Sequence, residues 1–120
     1  MDLKANEVSI NNIAYVPKDS KVSPIVNKNY IIVRSRSAGV HAGELLSKDG
    51  GITILKNARR LYYWDGAATL SQLAMEGVSK PENCKFPCEV TEIEILETIE
   101  RIPCTEKAIK SIKGVSIWAH

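Results

Sequence analysis

The sequence has no run approaching the roughly 20 apolar residues that a membrane-spanning helix needs. Met1 to Asn12 also lacks the basic start and apolar core of a secretory leader, so a cytosolic (cytoplasmic) protein is the expectation. Cysteine is scarce and odd in number: Cys84, Cys88 and Cys104 cannot all pair within one chain, which argues against a disulfide framework and makes free thiols the default. With His41 and His120 as the only histidines, Cys84-x3-Cys88 is poorly supplied with partners for a closed tetrahedral zinc site. Small buried or half-buried thiols are the simpler reading, and neither metal nor cofactor is expected. Aspartate occurs only at positions 2, 19, 49 and 65, all in turns or tails, so the Asp/His clusters of metal-dependent phosphodiester hydrolysis are missing. A chain of 120 residues is too short for two independent cores.

What is present is unevenly distributed. Residues 28–60 carry Lys28, Arg34, Arg36, Lys48, Lys56, Arg59 and Arg60 against only Glu44 and Asp49, although the whole chain has a net charge of just +2. Positive charge therefore gathers in the third of the sequence best suited to meet phosphate.

The pattern of elements predicts an α+β fold, a mostly antiparallel β-meander with two short helices. Val8 to Val16 reads as a hairpin about Asn11-Asn12, and Pro17 to Asn29 as a loop or arm. Tyr30–Arg34, Val40–Leu46 and Ile52–Leu55 read as successive strands, the last pair turned by Asp49-Gly50-Gly51, with a fourth β-like run at Arg60–Trp64. Thr69-Leu-Ser-Gln72 is a capping box that opens a two-turn helix stopped by Gly77. Residues 78–90 read as a loop. Thr91 to Ile102 fits a helix face or a strand, with strand favoured by its isoleucines and alternating glutamates. Thr105 caps a helix over Glu106–Lys113, and Gly114 ends it before a final strand Val115–Trp118.

Two segments carry candidate chemistry. Arg34-Ser-Arg-Ser-Ala-Gly-Val-His-Ala-Gly43 interrupts two strands with small residues; its amides, the Ser35 and Ser37 hydroxyls and the arginines suit phosphate oxygens, or the segment is a glycine-kinked connection. His41, with no evident carboxylate to orient it, is either a ligand donor or a structural residue. Ala58-Arg59-Arg60 directly precedes Leu61-Tyr-Tyr-Trp64, joining charge to flat π surfaces. Strand alternation puts Arg60, Tyr62 and Trp64 on one face and Arg59, Leu61 and Tyr63 on the other, with Trp64 read as core. Phe86, the single phenylalanine, either stacks on a base or plugs the core. Glu89, Glu92, Glu94, Glu97 and Glu100 read as a solvated face, so binding is favoured over catalysis.

The string Tyr30-Ile-Ile-Val-Arg-Ser-Arg-Ser-Ala-Gly-Val-His-Ala-Gly43, with Ser47-Lys-Asp-Gly50, Asn57-Ala-Arg-Arg60, Trp64-x-Gly-Ala67 and Ile102-Pro-Cys-Thr105, resembles the phage Thoeris anti-defence sponge family. The resemblance is strong over residues 30–67 and weaker over 87–113. It implies a protein that captures, without turnover, the cyclic ADP-ribose isomer (glycocyclic ADP-ribose) made by a bacterial TIR-domain immune enzyme. It further implies homo-oligomers built on dimers and extending to hexamers, and admits cyclic oligonucleotides as additional ligands. Ser37, Ala38, Gly39 and His41 inherit a ligand-facing role from the motif, as does Arg59 or Arg60; Phe86 joins them on chemistry alone. On this assignment Arg59→Ala is expected to abolish capture and leave the fold intact. Sequestering a signal present at micromolar levels or below calls for nanomolar affinity, near −12 kcal/mol, hence a recessed pocket at a subunit interface. A nucleotide-cleaving enzyme and a basic nucleic-acid-binding module are the rival readings. The second lacks a contiguous basic stripe, and no nucleic acid or membrane partner is expected.

Overall fold

The computed structural model describes residues 25–119. The expected Val8–Val16 hairpin and most of the arm that follows lie outside them. The fold is α+β: β1 (Val26–Ser35), β2 (Gly39–Asp49) and β3 (Ile52–Arg60) are followed by α1 (Leu70–Glu76), a 3₁₀ turn (Pro81–Asn83), β4 (Val90–Ile95), β5 (Thr98–Thr105) and α2 (Glu106–Gly114). The five strands form one antiparallel sheet in the order β4-β3-β2-β1-β5. Among the described residues no helix is long and apolar enough to cross a membrane.

β4 and β5 are consecutive in the chain yet occupy opposite edges of the sheet, and only Leu96 and Glu97 separate them. Three Cα–Cα steps span at most about 11 Å. The sheet must therefore roll until its two edges meet there. Glu97 makes the corner with φ 54°, a left-handed conformation. The seam is then sealed: Glu97 O accepts from Arg36 N at 3.0 Å, and Gly51 O accepts from Thr98 N at 2.8 Å. Arg101 reaches across from β5, donating through Nε to Thr53 Oγ1 and through Nη2 to Gly50 O, both at 2.7 Å.

Rolling gives the sheet two buried faces. Ile31, Val33, Leu55, Ala58 and Ile95 fill the inside, while Tyr30, Ile32, Ala42 and Cys104 look outward onto Leu73, Phe86, Ala108 and Ile112. The unbroken apolar run Tyr30–Val33 follows, because a strand covered on both faces needs no polar alternation. The helix caps are those the sequence predicts: Thr69 Oγ1 accepts from Gln72 N at 3.1 Å and Thr105 Oγ1 from Ala108 N at 3.1 Å.

Strand, the favoured reading of 91–102, holds, as two strands broken at Leu96–Glu97. Other expectations need correction. Val26–Asn29, expected as the end of the arm, opens β1 instead. The run Arg60–Trp64 is not a fourth strand, since β3 ends at Arg60 and only Tyr63 pairs further, in an isolated bridge to Lys85. Val115–Trp118 is likewise reduced to a single bridge, Ile117 to Phe86.

Candidate functional site

The turn between β1 and β2 satisfies its own polar groups. Ser35 Oγ donates to Leu96 O at 2.7 Å and accepts from Ala38 N at 3.2 Å, while Ser37 Oγ donates to Glu97 Oε1 at 2.9 Å. Arg34 Nε is paired with Glu100 at 2.8 Å. The phosphate cradle expected of these amides and hydroxyls is thus occupied by the seam of the sheet. Ser37 in particular is turned to Glu97, away from the cavities described next.

The other flank of the turn is different. Antiparallel register sets His41 opposite Arg60 and Ala42 opposite Arg59, so the two arginines stand on opposite faces of β3. Arg60 Nη1 donates to Ala38 O at 2.7 Å, which fixes one end of the guanidinium against the turn and leaves the side chain exposed. Gly39 lies directly beside it: with φ +85°, and with Arg60 Nη1 only 3.3 Å from where a Cβ would stand, the position suits glycine both in conformation and in space.

Arg60 separates two cavities of about 170 Å³ each. The first is walled by His41, Ala58, Pro87, Cys88, Val90 and Ile93; the second by Gly39, Val40, Leu61, Tyr62 and Trp64. His41 is 2% exposed, and neither Nδ1 nor Nε2 has a hydrogen-bond partner among the described residues. Burial, reinforced by the nearby Arg60 charge, lowers its pKa to about 4, so the ring is neutral at physiological pH. A buried imidazole with both nitrogens idle costs stability, which is an unusual feature to retain in a well-packed wall.

Arg59 and Phe86 leave the ligand-facing set. Arg59 is 4% exposed, and its Nε, Nη1 and Nη2 donate to Pro87 O (2.8 Å), Ile112 O (2.8 Å) and Phe86 O (2.9 Å). It is a tie-bar that holds the 86–87 segment and the end of α2 to β3, and its guanidinium lies 5.5 Å over the Phe86 ring. Phe86 is fully buried and has no face open to a ligand. Of the expected group, Ala38, Gly39, His41 and Arg60 come together. Pro87 and Cys88 were missed, because contacts distant in sequence bring them to the cavity: the pairing of Val90 with Ala58 and the hydrogen bond from Arg59 to Pro87 O.

Fold and site together define a small α+β domain whose rolled sheet carries a cleft with one central cation and largely apolar walls. The chain belongs to the family described as domain of unknown function DUF6948, whose model matches residues 28–112. That span includes every residue lining the two cavities. Comparison with curated proteins and with solved structures finds no match.

Proposed function

We propose that this domain binds a small anionic nucleotide in the Arg60 cleft and holds it without transforming it. The observation that carries the reading is the convergence of Gly39, His41 and Arg60, from the two separate motifs of the sequence, on a pair of cavities that share Arg60, with unspent polar capacity at His41. Arg60 offers donors for a phosphate, and an imidazole with idle nitrogens stands beside it.

What favours holding over turnover is the lining. Among the described residues neither cavity is walled by an aspartate or glutamate, so none of these supplies a carboxylate to pair with His41 as acid and base on a bound ligand. The ligand's identity rests on the resemblance to the Thoeris anti-defence sponges, which names the cyclic ADP-ribose isomer of a bacterial TIR-domain enzyme and makes the biological outcome a block of that defence. Size agrees with a two-part ligand: the cavities together reach the low end of the roughly 300–1,000 Å³ of small-molecule sites. A second copy of the chain, closing over the exposed Arg60, is the expected source of the further burial that nanomolar affinity requires.

The test is to incubate the purified protein with the products of an activated TIR-domain enzyme, filter, denature the retained protein by heat, and identify what is released by mass spectrometry. Recovery of the intact cyclic nucleotide supports the sponge. A cleaved product makes the protein an enzyme, and no capture ends the reading.

A further inference from the structure

The two cavities that share Arg60 are not alike. The one walled by His41 and Cys88 holds the idle imidazole; the one walled by Gly39, Tyr62 and Trp64 presents two aromatic side chains. We propose that the Tyr62/Trp64 cavity is the subsite for a planar aromatic ring, a nucleobase, of a ligand whose phosphate is held at Arg60. This rests on the anion-binding reading above and adds to it a second, separable determinant.

The case begins with Tyr62. It is 63% exposed, so its ring is accessible to a ligand. It is nevertheless held firmly, since its ring stacks on Trp118 at 5.4 Å between centroids and only 7° between planes. Trp118 is pinned in turn, its backbone N donating to Phe86 O at 3.0 Å and its ring lying under Lys85 Nζ at 5.6 Å. A ring fixed in this way has already lost the rotamer freedom that stacking on a ligand would otherwise cost.

Trp64 lines the same cavity. It is half-buried and packs on the helix-bearing core, so the cavity has a rigid back wall. Gly39 contributes bare backbone, which allows flat groups to approach closely, and Arg60 stands at the junction with the His41 cavity. A ring in this cavity with its phosphate at Arg60 fits a nucleotide and leaves a sugar phosphate alone with half of the site.

The test compares adenosine 5′-monophosphate with ribose 5-phosphate on the full chain, by calorimetry and by the quenching of tryptophan fluorescence. The two probes share the ribose 5-phosphate unit and differ at C1, where one carries the base and the other a hydroxyl. Adenosine monophosphate is expected to bind about tenfold to a hundredfold more tightly. Tyr62→Ala should erase that gap with ribose 5-phosphate unaffected, and Tyr62→Phe, which keeps the ring, should preserve it. Equal binding of the two probes, both lost in Arg60→Ala, overturns the ring subsite and leaves the anion site standing. Failure of both probes to bind at millimolar concentration overturns both.

Discussion

Arg59 and Arg60 are neighbours in the chain and point to opposite sides of β3, Arg59 across from Ala42 and Arg60 across from His41. The first ends in three carbonyl oxygens from three distant residues; the second makes one contact with the turn at Ala38 and otherwise faces the cleft. Two identical side chains thus have different work, decided by the two-residue period of a strand.

Their substitution should separate fold from binding. Arg59→Ala removes three charge-assisted hydrogen bonds, to Pro87 O, Phe86 O and Ile112 O, together with the cover over the Phe86 ring, and is expected to cost about 3–5 kcal/mol in urea unfolding. Arg59→Lys should recover little, because an ammonium does not reproduce the planar fork. Arg60→Ala is expected to unfold within about 1 kcal/mol of wild type and to lose anion binding. An Arg59→Ala protein of unchanged stability would refute the tie-bar.

His41 should make stability depend on pH in a definite direction. Its folded pKa of about 4 lies below the ordinary 6.5, so the unfolded chain takes up the proton first. Its stabilising contribution is complete above pH 6.5 and is lost as pH falls through 4, with about 2 kcal/mol gone by pH 5. His41→Leu removes both the titration and the two idle nitrogens. Its stability should exceed wild type by about 1 kcal/mol at pH 7.5, and the gap should widen by about 2 kcal/mol at pH 5. Urea unfolding at the two pH values decides the matter; a gap that stays constant would mean that His41 is not held neutral.

Much of this was readable locally, and the failures have a common cause. Thr69 and Thr105 were recognisable as caps because a cap and the amide it serves lie within three residues. The grouping of Arg60, Tyr62 and Trp64 came from alternation, and one cavity contains all three although the chain has left the sheet by Tyr62. What stayed hidden depends on distant partners. Nothing near Arg59 announces that Ile112 O and Phe86 O will claim it, and nothing in Leu96-Glu97 says that this link joins opposite edges of a sheet. The sequence around Phe86 fits a stacking platform and a core plug equally. Burial settled it as core, under the Arg59 guanidinium.

Gly39 and Gly50 both have positive φ and offer a controlled comparison. Either, changed to alanine, should cost about 1–2 kcal/mol of backbone strain. At Gly39 the new Cβ would stand 3.3 Å from Arg60 Nη1; at Gly50 no atom of the described residues lies within 4 Å. Gly39→Ala is therefore expected to weaken anion binding at least tenfold, with Gly50→Ala binding as wild type at matched stability. Equal binding by both variants would remove Gly39 from the site.

The last prediction uses the three thiols as reporters. Cys84 and Cys104 are buried, and burial raises both pKa values, Cys104 to about 12, so neither supplies much thiolate at neutral pH. Cys88 is exposed and walls the His41 cavity. A thiol reagent should modify one cysteine rapidly in the native protein and three in urea, with peptide mass spectrometry placing the native adduct on Cys88. A ligand seated between His41 and Arg60 covers that thiol, so saturating ligand should slow the reaction at least tenfold, and Arg60→Ala should abolish the protection. Cys88 that reacts at one rate with and without a demonstrably bound ligand would mean that the ligand sits elsewhere on the domain.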